Sequence, residues 1–282
     1  MGSSPSSYPL KGIGYFFSHW ILVRRIIFAL LLTLVVSVIA IVLTFGIFLA
    51  LQTALLTAIL IPPPIAFIIA FILCIIESTT FVFIFYTIAT PFWQDSLFDE
   101  VLRLRGLGPV LDKPRQASGF VLCFRGFKSG FEIIVIQVFF LIITLPIHSI
   151  PILGSVAYCF INGWPLAWSL QAHYHIDIKE LTSKQSRKFA WENRKDYIWF
   201  GAVGIFLGLI PVLNLIFFWT NIVGAALWTS DVLIEEQKLK NDSIERSVNT
   251  DAVGTSYQAA TNMEGSAITA TAVKTYGATD NA

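Results

Sequence analysis

Charge is what this sequence is short of. Lysine, arginine, aspartate and glutamate make up 13% of its 282 residues and 55% are hydrophobic, whereas an average soluble domain carries about 25% charged residues. A soluble globule of this size would have too little charge to cover its surface. The net charge of +1 leaves no dense basic footprint of the kind that phosphate backbones require, so nucleic acid is not expected as a partner. Three cysteines, Cys74, Cys123 and Cys159, are an odd count, and two of them lie in apolar runs where they pack as small hydrophobes, so no disulfide framework is implied. There is no Gly-rich phosphate loop, nucleophile elbow or zinc-protease helix, and with them go the expectation of an enzyme, catalytic residues and a cofactor. The N-terminal residues are rich in Ser and Pro, and the first apolar run lacks a small-residue cleavage site, so no secretory signal peptide is expected. Gly2 with Ser6 fits a short N-myristoylation pattern; the competing reading is a disordered Ser-rich start.

What is present is a set of long uncharged intervals. Glu77 is the only formal charge between Ile26 and Gln94, and there is none between Ile133 and Ile176 or between Tyr197 and Ser230. At about 1.5 Å per residue, the run Ile26–Leu51 exceeds the ~30 Å hydrocarbon core and reads as a transmembrane helix. Pro62-Pro63-Pro64 breaks the chain, and Ile65–Phe92 returns across the membrane. The third and fourth blocks are interrupted after about 20 Å of helix, by Pro146 and Pro151 and by Pro211, and then resume. Each is read as a helical hairpin that enters and leaves on one side, with Pro151 and Pro211 at the turns. Partial penetration and two complete spans per block both remain open, the former requiring broken backbone to be buried in protein or beside water.

Basic residues agree on the side. Lys11, Arg24 and Arg25 precede the first span, and two polar segments carry six each, from Arg103 to Lys128 and from Lys179 to Lys195. By the positive-inside rule these segments and both termini are cytosolic, leaving only Gln52–Pro64 for the far side. The expected organisation is an all-α, polytopic helical membrane protein with two long transmembrane helices and two Pro-broken hairpins. Its parts are a cytosolic N-terminal segment at 1–25 and a membrane domain at 26–235, followed by a disordered, Ser- and Thr-rich cytosolic tail at 238–282. Within the membrane domain, spans at 26–51 and 65–92 precede a cytosolic amphipathic loop at 93–131, a hairpin at 132–173, a basic loop at 174–196 and a hairpin at 197–233. Asp95–Arg105, with apolar residues among charges, suits a short helix in the membrane interface or one packed on the cytosolic loops.

Glu77 stands near the middle of the second span, where a carboxylate costs several kcal/mol. It reads either as a functional group, for proton coupling or a polar contact between helices, or as a protonated residue bonded beside Ser78, Thr79 and Thr80. His173 and His175 are spaced like metal ligands, but no Cys or acidic cluster accompanies them in sequence, so they are read as interfacial and no metal is expected. Pro151 and Pro211 could begin inner half-helices whose N-termini, near Ser155 and Asn214, bind an anion; the alternative is a packed turn. Sliding the chain over itself by 60 residues superposes Ile150-Pro151-Ile152-Leu153 on Ile210-Pro211-Val212-Leu213 and Trp168-Ser169 on Trp228-Thr229. Such a match suggests that the third and fourth blocks are duplicated hairpins.

The stretch Ile210–Leu215 with Thr220, Gly224-Ala225 and Trp228 resembles the etoposide-induced protein 2.4 and CysZ-like membrane family. Ile150–Gly154 with Asn162-Gly163-Trp164 is similar to that family's preceding hairpin, and Gly12–Arg25 to its opening segment. The resemblance covers about Lys11–Glu235 and implies two long transmembrane helices plus two hairpins. It also implies divergent functions: sulfate permeases in bacteria, endoplasmic-reticulum proteins of autophagy and growth suppression in animals, and a fungal branch tied to lipid droplets and the outer spore wall. With its long Ser/Thr-rich tail, this chain looks most similar to the fungal branch. Arg24 and Arg25 stand where the family's permeases place basic residues near the anion path, although the chain has Trp20-Ile21-Leu22-Val23 before them in place of Gly-Leu-Arg; snorkelling at a helix end is the alternative. The leading expectation is a non-enzymatic protein of the endoplasmic reticulum or lipid droplet that contributes to lipid-linked or spore-wall assembly. The alternatives are a sulfate-like anion permease, with Arg24, Arg25, Ser155 and Asn214 on its path, and a membrane scaffold. Expected partners are membrane lipid, then a small anion and a second copy of the chain.

Overall fold

The structure, a computed structural model, describes residues 4–112, 119–148, 150 and 152–244, with side chains from Lys128 to Ile147 in the second of these ranges. Gly2 and Pro151, as well as the tail from residue 245, lie outside the described residues. Those that are described form helices and short connections, with no strand among them. Four of the described helices are long and apolar enough to cross a membrane: Trp20–Ala58, Pro63–Leu104, Lys128–Ile147 and Asn214–Ile244.

After a 3-10 turn at Pro5–Ser7, helix α1 (Tyr8–Ser18) buries Tyr8, Pro9, Gly12 and Phe16, the i, i+4, i+8 face that a 3.6-residue period creates. The N-terminal segment is therefore structured rather than a free lead-in. Extended backbone at His19 (φ −118°, ψ 94°) ends α1, and α2 (Trp20–Ala58) follows, containing one π-helical turn at Thr44–Phe48. At that wider turn the Thr44 carbonyl also accepts the Cys74 thiol from the next helix at 3.7 Å.

Helix α3 (Pro63–Leu104) starts at the proline cluster because proline at the first helical positions gives up only N–H groups that have no partner there. It then runs for 42 residues, straight through Pro91. The separate interfacial helix expected at Asp95–Arg105 is thus the continuation of α3, which buries Leu97, Phe98, Val101 and Leu102 on protein. Charge begins at Asp95, and nothing in that change of composition obliges the helix to end. Gly106, at φ 78°, stops the helix just beyond Leu104, and a single turn, Gly108–Leu111, follows.

Helices α4 (Gly119–His148) and α5 (Leu153–Leu170) form the first hairpin. A π-helical turn at Tyr174–Ile178 and helix α6 (Ser183–Glu192) occupy the basic segment expected to be a loop. Thr182 and Gln185 cap α6 reciprocally, the arrangement that satisfies two orphan N–H groups. Helices α7 (Arg194–Gly208) and α8 (Asn214–Ile244) form the second hairpin. α7, with 15 residues, is about 22 Å long and falls short of a ~30 Å core if upright. The tail expected to lack structure from residue 238 is helical as far as Ile244; Asp231 onward belongs to a second unit.

The two hairpin turns share a geometry. Ile152 and Val212, the residues superposed by the 60-residue shift, take φ 63° and φ 68°, a region that a β-branched side chain rarely enters. At Val212 the turn closes through the Leu213 N–H on the Pro211 carbonyl, 2.8 Å. Both tips are apolar and exposed, as is the α2–α3 tip at Leu60. Small residues bring the helices together elsewhere: Gly163 of α5 lies against Gly201 of α7, and Gly12 of α1 against Thr220 and Gly224 of α8.

Candidate functional site

Polar side chains collect where the helices leave the apolar zone, opposite the three tips. Asp95 and Asp99 are four residues apart on α3, as are Ser96 and Glu100, so the helical period sets two polar lines side by side. Arg25 of α2 reaches the second line, donating to Ser96 Oγ and to Glu100 Oε2, each at 2.5 Å. His173, just after α5, reaches the first, its Nε2 lying 2.8 Å from Asp99 Oδ1. Its Nδ1 faces Asp177 Oδ2 at 3.0 Å and Asp95 Oδ1 at 3.4 Å, the π-helical turn bringing Asp177 back to it. The imidazole is 8% exposed. Burial lowers its pKa, but hydrogen bonds to Asp177 and Asp99 and the charge of Asp95 raise it further, to about 10.

His175 belongs to a second, buried network. Its Nδ1 lies 2.8 Å from Ser186 Oγ and its Nε2 2.9 Å from the Tyr197 hydroxyl, while Trp168 Nε1 donates to Ser186 Oγ at 2.9 Å. Ser186 Oγ accepts from Trp168, and His175 lies between the Ser186 and Tyr197 hydroxyls, one ring nitrogen donating and the other accepting in the neutral form. Burial pushes the His175 pKa down to about 4, so the imidazole stays neutral and every member of the chain is satisfied. His175 is fully buried in protein and the His173 imidazole nearly so. Elsewhere in this layer Glu132 of α4 accepts from Ser183 and Arg187 of α6, and Gln171 accepts from Thr229 of α8 at 2.6 Å.

The residues proposed for an anion path are not brought together. Arg25 is held by Glu100, and Arg24 is exposed one residue away. Ser155 lies in the first turn of α5 and Asn214 at the exposed start of α8. Sixteen residues separate Ser155 from Gln171, about 24 Å of helix, so both sit near the tips while the arginines sit in the polar layer. Pro211 shapes the turn before α8. Glu77 finds a partner the sequence did not indicate: Gln52 Nε2, on the antiparallel α2, donates to it at 2.6 Å. Ser78 and Thr80 instead donate to carbonyls of their own helix.

Because the Glu100 side chain is only 12% exposed, removing its cation leaves a largely buried carboxylate uncompensated. Arg25→Ala is expected to cost ~1–3 kcal/mol, reduced from the fully buried case because the guanidinium is half-exposed. Glu100→Gln in that background should recover most of the loss. Thermal denaturation of the four proteins of this cycle in detergent gives the coupling directly; additivity would show that the pair contributes nothing.

Residues 8–218 match the family described as Sulfate transporter CysZ/Etoposide-induced protein 2.4. Among curated proteins none matches.

Proposed function

From the premise that the chain belongs to the sulfate transporter CysZ/etoposide-induced protein 2.4 family, we propose that this integral membrane protein is non-catalytic and inserts from one side. In this reading it resides in the endoplasmic reticulum, passes onto lipid droplets and supports lipid-linked assembly such as that of a fungal spore wall. The observation that carries the reading is the α2–α3 hairpin. From Arg25 to its tip at Leu60 are 35 residues, about 52 Å of helix against a ~30 Å core. Even a 40° tilt leaves about 40 Å along the membrane normal. The tip is not dressed for water: Leu55, Ile59, Leu60 and Ile65 are exposed, Leu60 at 93%. A bilayer would push these side chains toward the far headgroups, whereas an oil core beneath a monolayer has no far boundary to reach.

Fluorescent tagging tests the destination. After fatty-acid loading, the tag is expected around droplets and on the reticulum; a signal confined to the plasma membrane overturns the proposal. Insertion is tested by single cysteines in a background lacking Cys74, Cys123 and Cys159. A cysteine at Lys188, exposed on α6, should react with an impermeant thiol reagent as soon as the cytosol is opened. Cysteines at Val212 and Ile152 should resist it. Protection of position 188 until the far compartment is opened would defeat one-sided insertion.

A second reading, an anion permease, draws on the family description and on Arg24, a guanidinium exposed beside the paired Arg25. It predicts sulfate flux into proteoliposomes above that of empty vesicles and a loss of that flux in Arg24→Ala.

A further inference from the structure

The three carboxylates around His173 come from two separate segments: Asp95 and Asp99 from α3, and Asp177 from the π-helical turn after α5. Asp99 meets Nε2, while Asp95 and Asp177 both meet Nδ1. These two sets are chemically different. A carboxylate on Nε2 holds that nitrogen as N–H and leaves the lone pair on Nδ1, which is how a metal-binding histidine is oriented by its outer partner. On the Nδ1 side, two carboxylate oxygens converge, so the nitrogen and both oxygens share one positive charge there, either a proton on Nδ1 or a bound cation.

We propose that Asp95, His173 and Asp177 bind a divalent first-row transition cation, with Asp99 as the positioning residue for the imidazole. Ligand atoms about 2.0–2.2 Å from a tetrahedral ion stand roughly 3.3–3.6 Å apart; Nδ1 lies 3.4 Å from Asp95, within that range, and 3.0 Å from Asp177, which has to draw back by a few tenths of an ångström, and all three ligand atoms lie within 4.8 Å of one another. The donor set chooses the class. One imidazole with two carboxylates and no thiolate suits Zn²⁺, Fe²⁺ or Mn²⁺ and disfavours Cu⁺. Without the ion a proton takes its place on Nδ1, so metal uptake releases a proton. Access comes from Asp95, whose side chain is 46% exposed, while His173 is closed in at 8%. Three protein ligands leave a fourth position for water, and the ion ties α3 to the segment after α5 across 78 positions of sequence (173 − 95).

The test is calorimetric titration of the full chain in detergent with Zn²⁺ after chelator treatment and dialysis. One equivalent is expected to bind with a dissociation constant of about 10 µM or tighter and to raise Tm. X-ray absorption should show one nitrogen and at least two oxygens at about 2.0–2.2 Å. Asp95→Asn, at an accessible position, should weaken binding at least tenfold while leaving the metal-free Tm within a few degrees; His173→Gln should abolish it. Asp99→Asn, acting through the imidazole, should weaken binding ~10–100-fold and leave the same ligand set in the absorption spectrum. Asp112→Asn, an exposed carboxylate paired with Arg103, should change nothing. No saturable binding of Zn²⁺ or Mn²⁺ to the wild-type chain at 100 µM overturns the proposal, as does an affinity unchanged in Asp95→Asn.

Discussion

Gly201→Ala is expected to cost ~3 kcal/mol or more and to leave little folded protein on extraction into detergent. A Cβ added at Gly201 would stand 1.9 Å from the Gly163 carbonyl oxygen and 2.5 Å from its carbon. Both are backbone, so no rotamer can move out of the way and α5 and α7 must separate along their length. Overpacking in a well-packed core costs ~1–3 kcal/mol, and here the obstacle is rigid on both sides. Membrane helices depend on such small-residue crossings because lipid supplies no hydrophobic force to press them together. Size-exclusion profiles and thermal unfolding in detergent would show the effect as a Tm lower by roughly 10 °C or as loss of the monodisperse peak. Gly208→Ala is the control, since nothing lies within 4 Å of a Cβ there. An unchanged Tm in Gly201→Ala would mean that α5 and α7 do not cross at this point.

Trp168→Ala is expected to cost about 3–5 kcal/mol, the range for deleting a large buried aromatic side chain. Trp168 is fully buried and stacks on Trp164, with ring centroids 5.5 Å apart. Its N–H also donates to Ser186 Oγ, which pairs with His175. Trp168→Phe keeps most of the ring and loses the donor, so it should cost ~1–2 kcal/mol, near the value of one buried hydrogen bond. Unfolding of the two variants separates packing from polarity. If Phe is as damaging as Ala, the hydrogen bond carries the effect, and if Phe is silent, the Trp168–Ser186 bond contributes nothing to stability.

The long spans were legible because lipid excludes charge: Glu77 is the only formal charge between Ile26 and Gln94, and the apolar lengths of α2 and α3 fill that interval. Where a helix ends was less legible. α3 passes its last lipid-facing residue and continues to Leu104, since a change of solvent does not change backbone preference. α6 was missed even though its signal was present, in Thr182 three residues ahead of Gln185, because the segment was read for its basic charge alone. The site was hidden for a different reason. Asp95 and Asp99 share a helical face by spacing, but His173 meets them only through packing, 74 residues beyond Asp99. Gln52 and Glu77 likewise meet across a hairpin, and nothing local to either residue names the other.

The matched turns at Ile152 and Val212 bear on how such a molecule could move. Both hairpins start and finish in the polar layer, so a rotation that superposes one on the other runs about an axis along the membrane normal. Transporters built from inverted repeats obtain their outward- and inward-open states by letting two oppositely oriented halves exchange conformations. Here an exchange between α4–α5 and α7–α8 returns a structure open to the same side as before. The pseudosymmetry of this fold therefore supplies no outward-facing counterpart to an inward-facing state, and any change of access would have to come from elements outside the repeat, α2 and α3 among them.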